Sequence, residues 1–347
     1  MNENNFRNDQ QADFHARLSA KNIGALWVAR RGVDITKPAM EAVPVHWVYE
    51  DLRPDIEEAG AIVSAEEAFR RVLALENPAW PGEMRVTNTL YAGIQLVQPG
   101  ETAPCHRHSQ TALRFVLEGT GAHTTVDGER ALLIPGDFVI TPYWSWHDHI
   151  NGGTEDVTWL DILDTPMVGF FDAVFRDFHN DFAQPITKPD GYSPARYGVN
   201  MAPEPGRHEP GGASPVFRYA FEDAQRALEQ LAEGDDPHPV FGHKLHYIDP
   251  TDGGPATPTM DAAMRLLPKG FKGYDYRSTD GMVYCAIEGS GRAIIEDSVF
   301  EFAPRDVFVI PGWRRHRIES AAGAILFSVS DRAAQEKLGL WREETPA

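Results

Sequence analysis

The sequence predicts a mostly β protein with two copies of one antiparallel β domain and a helical N-terminal lead-in. Short runs rich in Val, Ile, Thr and aromatic residues, each bounded by Gly, Pro or Asp, fill residues 89–163 and return at 281–329. The turn residues between these runs recur in the same order in both stretches. Because antiparallel strands spaced this closely must hide their edges, each stretch is expected to close into a barrel or sandwich.

The lead-in, residues 1–88, is expected to be helical or irregular and to pack on the β domains. Residues 64–67 have the spacing of a capping box, and apolar residues continue at helical intervals over 68–75. A helix that ends near Asn77 is therefore predicted.

The first β domain is assigned to residues 89–183. It contains an E-G-T-G turn, a P-G-D turn that starts at Pro135, and His147 twelve residues after that proline. Residues 184–240 form a linker rich in Pro and Gly, with one predicted helix at 222–233.

The second β domain, residues 241–347, repeats the pattern. It contains an E-G-S-G turn, a P-R-D turn that starts at Pro304, and His316 twelve residues after that proline. Two copies of one domain explain this repeat most simply.

Composition excludes several function classes. The chain has 347 residues, with 32 Lys and Arg against 51 Asp and Glu, and a formal net charge of −19. Nucleic acid and anionic membranes are therefore not expected as partners. No apolar run approaches the ~18 residues that a membrane span needs. The polar N-terminus lacks the apolar core of a signal peptide, so a cytoplasmic location is expected. Two cysteines, Cys105 and Cys285, imply no disulfide framework.

Three histidines form the strongest chemical signal. His106 and His108 lie two residues apart on a predicted strand, so their imidazoles point to one face and could share a metal ion. Alone, such a pair is common by chance on a solvated strand. His147 changes this assessment, because a neighbouring strand can return it to the same face.

This combination resembles the two motifs of the cupin family, in which a Glu usually follows the second histidine by four or five residues. Here Ala112 and Leu113 occupy those places and cannot bind a metal. Three neutral imidazoles leave the charge of a divalent ion uncompensated and about three coordination positions open. Such a site is expected to prefer an anionic chelating substrate, and open positions beside three ligands are typical of non-haem Fe(II) oxygen chemistry.

The second domain lacks this site. Tyr276 and Ser278 stand where His106 and His108 stand in the first copy, and only His316 remains. A degenerate, metal-free scaffold or an oligomer interface is therefore expected.

More extended strings resemble one bicupin family, the gentisate 1,2-dioxygenases, with the related salicylate and 1-hydroxy-2-naphthoate ring-cleaving dioxygenases. The strings are Y-A-G-I-Q at 91–95, H-R-H at 106–108, A-L-R-F at 112–115, V-D-G-E at 126–129, P-G-D-F at 135–138, W-S-W-H-D-H at 144–149 and W-L-D at 159–161. The resemblance implies two double-stranded β-helix (jelly-roll) domains and a homotetramer.

The same resemblance implies Fe(II) held by His106, His108 and His147. It also implies cleavage by O2 of the ring bond between the carboxyl-bearing carbon and its hydroxylated neighbour, which gives maleylpyruvate from gentisate. The chemistry is consistent, because a 2-hydroxybenzoate chelates through its carboxylate and phenolate and supplies negative charge that the imidazoles lack.

Candidate substrate-binding residues are Arg114, Gln95, Arg70 and Tyr91. Arg114 lies six residues after His108 and would share its face if the strand continues, so its guanidinium is the predicted carboxylate clamp. Gln95 could donate to the substrate or O2, and Arg70 could reach the carboxylate from the lead-in. The alternative for each of these three is an exposed side chain.

Other residues could wall the substrate or transfer protons. Tyr91, with Trp144 and Trp146, could line an aromatic substrate or pack in a core. His149 shares the face of His147, and the resemblance implies an acid–base role for it. Asp161 could orient that histidine or the substrate 5-hydroxyl, or be a turn residue.

Three other functions stay open. Salicylate or 1-hydroxy-2-naphthoate could be the substrate. A metal-dependent isomerase or sugar-binding bicupin is a different class, although such proteins normally keep the missing Glu. A storage or regulatory bicupin is the third, although no DNA-reading element is evident.

Overall fold

The computed structural model describes residues 3–29, 36–199, 203 and 212–345. Contacts divide the chain into two units, residues 1–39 and residues 40–347. The first unit contains helices α1 (Glu3–Ser19) and α2 (Leu26–Ala29). Within the predicted linker, residues 200–202 and 204–211 lie outside the described part of the chain. In the described residues, no helix is long and apolar enough to span a membrane.

The second unit contains two β-barrels, each made of a larger and a smaller antiparallel sheet. In spatial order, the larger sheet of the first barrel contains β12 (Arg218–Tyr219), β8 (Phe138–Thr141), β5 (Ala112–Glu118), β10 (Val157–Leu163), β3 (Tyr91–Val97) and β2 (Val72–Leu75). Its smaller sheet contains β11 (Arg176–Phe178), β4 (Thr102–His108), β9 (His147–Asn151), β6 (Ala122–Val126) and β7 (Glu129–Leu132).

The second barrel repeats this arrangement. Its larger sheet contains β1 (Val45–Trp47), β20 (Val307–Ile310), β17 (Met282–Gly289), β22 (Ala324–Ser330), β14 (Asp261–Leu267) and β13 (His243–His246). Its smaller sheet contains β15 (Phe271–Lys272), β21 (His316–Ser320), β18 (Gly291–Ile295) and β19 (Ser298–Phe302). β16 (Arg277–Ser278) pairs with β23 (Glu343–Glu344).

In the described residues of this unit, six helices connect or flank these strands. They are α3 (Tyr49–Ile62), α4 (Ala65–Ala68), α5 (Thr165–Phe170), α6 (Tyr192–Tyr197), α7 (Phe221–Gly234) and α8 (Arg332–Lys337). The helix predicted at 222–233 is confirmed as α7. The helix predicted over 64–75 is wrong beyond Ala68, because residues 72–75 pair with β3 as strand β2. Non-local strand pairing outweighs the local helical pattern there.

The repeated E-G-x-G turns need glycine for a steric reason. Gly119 and Gly289 have φ angles of +80° and +73°. A Cβ atom on Gly119 would lie 2.0 Å from the Asp156 carbonyl oxygen, and one on Gly289 would lie 2.0 Å from that of Gly323. Both turns therefore exclude any side chain.

Each barrel takes one strand from the segment that precedes the other barrel in the sequence. β1 extends the second barrel beside β20, and β12 extends the first barrel beside β8. The aspartates of the two P-x-D turns fasten these segments. Asp306 accepts a hydrogen bond from the Tyr49 N–H that starts α3, and Asp137 accepts one from the Phe221 N–H that starts α7.

The two larger sheets share one hydrophobic core. Phe115 of the first barrel stacks on Phe327 of the second, with ring centroids 4.3 Å apart and planes 11° apart. A second core fills the second barrel, where Tyr284 stacks on Phe308 at 5.0 Å. The second barrel is thus filled by its own side chains.

Candidate metal centre

The three predicted histidines meet inside the first barrel. His106 and His108 lie on β4, and His106 is the cross-strand partner of His147 on β9. The ring centroids of His106 and His147 are 4.3 Å apart, and those of His108 and His147 are 4.8 Å apart. One nitrogen from each ring lies within 4.8 Å of the others, and all three side chains are buried. This spacing suits three ligands to one ion.

Backbone carbonyls orient all three rings. The Nδ1 atoms lie 3.1 Å from the Pro104 oxygen for His106, 2.8 Å from the Gln110 oxygen for His108 and 3.0 Å from the Ser145 oxygen for His147. A carbonyl can only accept, so the Nδ1 atoms of His108 and His147 carry the proton and their Nε2 atoms keep a free lone pair. At His106 the Arg70 Nη2 also lies 2.6 Å from Nδ1 and 3.4 Å from Nε2. The Nε2 of His147 is buried and has no hydrogen-bond partner among the described residues. A metal ion fits this unpartnered nitrogen.

Burial keeps the imidazoles neutral. It lowers the pKa of His106 to about 2, with the nearby Arg70 charge adding to the effect, and that of His108 to about 4. The pKa of His147 is also lowered well below its usual range, first by burial. Protons therefore compete weakly with a metal for these nitrogens near neutral pH.

No carboxylate completes the site. Among the described residues, the His, Cys, Asp and Glu side chains close enough to share an ion are the three histidines alone. A bound divalent ion would keep its full charge and leave positions for exogenous ligands.

The triad forms one wall of a cavity of about 640 Å³. The other lining residues include four arginines, although the whole chain is strongly acidic. They are Arg70, Arg85, Arg114 and Arg176. A small anion is therefore attracted locally in spite of the overall negative charge.

Arg114 lies in this cavity, but not for the reason the sequence suggested. The strand does not continue from His108. β4 ends there, and Arg114 belongs to β5 in the opposite sheet. Its Nη1 donates to the Thr141 Oγ1 at 2.5 Å, and its Nε lies 3.4 Å from the Asp161 Oδ1. The guanidinium thus faces the histidines across the barrel.

Gln95, Tyr91, Asp161 and Arg70 also line the cavity. The Gln95 Nε2 is buried without a hydrogen-bond partner among the described residues, so this donor is available to a ligand. Burial raises the pKa of the Asp161 carboxyl, and the adjacent Arg114 guanidinium opposes that rise. Gly93 makes room for Tyr91, because a Cβ atom there would lie 2.6 Å from the Tyr91 hydroxyl.

His149 lies beside the triad and does not line the cavity. Its ring centroid is 5.9 Å from that of His147 and 5.2 Å from that of Trp159. Its Nδ1 lies 2.8 Å from the Thr124 hydroxyl, and its Nε2 is buried without a partner in the described chain. The described contacts do not include the predicted one between Asp161 and His149.

Trp144 and Trp146 lie on the outer side of this region. Both rings flank the Arg107 guanidinium, at 4.6 and 4.5 Å. Arg107 in turn binds Asp177 at 2.7 Å. Neither tryptophan is among the residues that line the cavity in the described part of the chain.

Sequence reasoning missed Arg85 and Arg176. Arg176 lies on β11, where it is the cross-strand partner of His108. No local spacing links a residue so distant in sequence to the triad.

In the second barrel, the His316 Nδ1 lies 3.0 Å from the Arg314 oxygen, which repeats the orientation of His147. The Tyr276 ring packs against the His316 ring, with centroids 5.6 Å apart.

Comparison with known proteins agrees with this geometry. Residues 93–163 match the cupin domain family. The chain is 46% identical over 334 residues to gentisate 1,2 dioxygenase 1 of Aquipseudomonas alcaligenes, with 96% of each chain covered. It is 36% identical over 316 residues to the gentisate 1,2-dioxygenase of Haloferax sp, with 86% of this chain and 87% of that one covered.

The chain belongs to the gentisate 1,2-dioxygenase family.

A solved structure extends the match to the whole fold. The salicylate 1,2-dioxygenase of Pseudoaminobacter salicylatoxidans, in its adduct with gentisate, superposes with a TM-score of 0.90 at 29% identity. The alignment covers 97% of this chain and 94% of that one. The predicted two-barrel fold and the predicted gentisate 1,2-dioxygenase family are both confirmed.

Proposed function

We propose that this protein is a gentisate 1,2-dioxygenase that uses non-haem Fe(II). It cleaves the ring bond between the carboxyl-bearing carbon and the adjacent hydroxylated carbon, and both atoms of O2 enter the product, maleylpyruvate. The observation that carries the proposal is a buried triad of neutral imidazoles, His106, His108 and His147, that faces an arginine-lined cavity.

The donor set suits this cofactor. Three nitrogen ligands without a carboxylate match the imidazole preference of iron and leave room for a bidentate substrate. Bound Fe(II) supplies Lewis acidity toward the substrate oxygens and the redox capacity to activate O2. The protein's own contribution is to hold the aromatic acid and to control its protons.

Arg114 is the proposed carboxylate clamp. Thr141 and Asp161 fix its guanidinium across the barrel from the triad. A planar guanidinium matches a carboxylate in geometry and charge. Arg70, beside His106, is a second cation for the same group. Together they orient the ring so that its carboxylate and 2-hydroxyl face the triad.

Gln95 and Tyr91 are proposed to bind the rest of the substrate. The unpartnered Gln95 Nε2 is a donor for the substrate or O2. Asp161 is proposed to accept a hydrogen bond from the 5-hydroxyl that distinguishes gentisate from salicylate. His149 remains the proposed acid–base residue, because its Nδ1 is engaged by Thr124 and its buried Nε2 is free to exchange a proton.

We propose a homotetramer as the working form. Five phenylalanines between residues 170 and 182 are more than 60% exposed, which is unusual for side chains of this size. They are Phe170, Phe171, Phe175, Phe178 and Phe182. Contact between copies would remove this apolar surface from water. Light scattering that gives the mass of a single chain at micromolar concentration would refute the tetramer.

Oxygen uptake tests the activity. Protein purified without air and loaded with Fe(II) is offered gentisate, salicylate and 1-hydroxy-2-naphthoate separately. We expect uptake with gentisate at a rate well above the other two. Equal or faster uptake with either alternative would reassign the substrate. Absence of uptake with all three, despite bound iron, would favour a non-oxidative bicupin.

A further inference from the structure

The backbone at Phe69 is strained. Phe69 follows α4 and has a φ angle of 57° and a ψ angle of −46°. The Arg70 N–H donates to the Ala68 carbonyl oxygen at 2.5 Å. These values describe a γ-turn of the rare positive-φ kind, which is unfavourable for a bulky L-residue. Such a conformation persists where its surroundings hold it, and it occurs most often at functional sites.

Packing contacts of the Phe69 ring hold this backbone conformation in place. It meets the His106 ring at 5.6 Å with planes 66° apart, and the Phe178 ring at 5.6 Å with planes 80° apart. His106 and Phe178 are themselves cross-strand partners on β4 and β11. The Arg176 guanidinium lies 6.0 Å from the centre of the same ring. The Phe69 ring therefore packs between β4, which carries His106, and β11, which carries Phe178.

The turn directs Arg70 onto the metal ligand. The Arg70 Nη2 lies 2.6 Å from the His106 Nδ1 and 3.4 Å from its Nε2. The Arg70 Nη1 is buried without a hydrogen-bond partner among the described residues. A guanidinium only donates, and its Nη2 shares the Pro104 oxygen, 3.3 Å away, with the His106 Nδ1, which lies 3.1 Å from the same oxygen. A carboxylate oxygen would satisfy Arg70 much better.

We propose that Phe69 is a positioning residue for substrate binding. Its strained turn and its ring contacts hold the Arg70 guanidinium at the His106 edge of the cavity, where it receives the carboxylate of the aromatic acid. This inference rests on the proposed function, because it names how that site holds the carboxylate. Phe69 itself acts through Arg70 and does not touch the substrate.

A double-mutant cycle isolates this role. The variants Phe69→Leu, Arg70→Ala and the double variant are compared as Fe(II)-loaded enzymes. Phe69→Leu keeps an apolar side chain and removes the ring. We expect it to raise the KM for gentisate about tenfold with kcat changed less than about twofold, and to change the KM less than about twofold once Arg70 is alanine. Phe69→Tyr keeps the ring and should restore the wild-type KM.

Two further readouts separate this role from a merely structural one. Anaerobic binding of salicylate, followed by calorimetry, should weaken in Phe69→Leu by the same factor as the KM for gentisate, while iron content stays equal. Phe300→Leu is the matched control, because Phe300 is a half-buried ring on β19 of the second barrel, and it should change none of these values. If Phe69→Leu does not fold, Phe69→Gly accepts the positive φ without strain and still lacks the ring.

An equal loss from Phe69→Leu in the wild-type and Arg70→Ala backgrounds would overturn the proposal. So would a loss of iron that accounts for the whole effect, because the ring would then serve His106 alone. Salicylate binding remains measurable if gentisate is not cleaved, so failure of the proposed reaction can be distinguished from failure of this inference.

Discussion

At the scale of single residues, the metal centre depends on which nitrogen of each histidine is free. Carbonyl oxygens occupy the Nδ1 atoms, and burial keeps the rings neutral. The sequence predicted that the three histidines share one face, because their spacing and order were a recognisable motif, and the structure brings them together. The same spacing argument gave the right cavity residue in Arg114 for a wrong reason, since the chain turns between His108 and Ala112.

Removal of one ligand should abolish metal binding. We expect His108→Ala to retain less than about a tenth of the wild-type iron, because two imidazoles remain of three, and to lose oxygen uptake in proportion. His316→Ala is the matched control in the second barrel and should retain iron fully. Iron is measured by mass spectrometry after desalting. A His108→Ala enzyme with full iron and activity would contradict the assigned site.

Arg114 should be irreplaceable by lysine. Arg114→Lys keeps the charge and loses the planar fork, so we expect the KM for gentisate to rise about 10–100-fold, which corresponds to about 1.4–2.7 kcal/mol of binding. Arg107→Lys, on the outer side between two tryptophans, should leave the KM unchanged. Steady-state kinetics with gentisate checks both variants. An unchanged KM in Arg114→Lys would exclude the carboxylate clamp.

His316 should make the metal-free protein sensitive to acid. Burial lowers its pKa to about 4, whereas the unfolded chain binds this proton near pH 6.5. Between these values the unfolded state holds more protons, so the free energy of unfolding falls as the pH drops from 6.5 toward 4. One such group contributes a slope of up to about 1.4 kcal/mol per pH unit.

Urea unfolding at several pH values measures this slope. His316→Gln cannot titrate, so its slope should be smaller than that of the wild type by up to one proton. Identical slopes in the wild type and His316→Gln would contradict the cause assigned to this pH dependence.

At the scale of elements, exchanged strands tie the two barrels together. β1 precedes the first barrel but completes the second, and β12 precedes the second but completes the first. Sequence patterns could not reveal this exchange, because strands of three and two residues carry no periodicity and their partners are far along the chain. The helix predicted at 72–75 is a strand for the same reason, because pairing with β3, a partner outside the local sequence, decides the conformation there.

Asp137 should be important for stability and not for binding. It accepts the Arg218 Nε–H at 2.6 Å and the Phe221 N–H at 3.0 Å. Asp137→Ala leaves a partly buried guanidinium and a helix N-terminus without their acceptor, so we expect a loss of about 2–4 kcal/mol in the free energy of unfolding. The KM for gentisate should stay within about twofold.

Chemical denaturation and kinetics together check this prediction. Asp190→Ala is the control, because its ion pair with Arg130 lies on the surface and should matter little. A stable Asp137→Ala protein would mean that the exchanged segment is held chiefly by apolar contacts of α7 and β12.

At the scale of the whole molecule, the interiors of the two barrels differ. The first keeps an open interior lined by imidazoles and guanidiniums, and the second fills its interior with stacked aromatic rings. The repeated turns and the replacement of His106 and His108 by Tyr276 and Ser278 predicted this division from sequence. The positions of Arg85 and Arg176 could not be predicted, because only the closed barrel brings these distant residues to one cavity.

Ring opening by O2 beside the three-histidine site is the property on which all the proposed residue roles depend. The most direct test is a single turnover of gentisate under ¹⁸O2 by the Fe(II)-loaded enzyme, with the product analysed by mass spectrometry. We expect maleylpyruvate that carries two ¹⁸O atoms, apart from any label lost by exchange with water, and no labelled product from His108→Ala. A product with one labelled atom and an intact ring, or no labelled product from the wild-type enzyme, would contradict it.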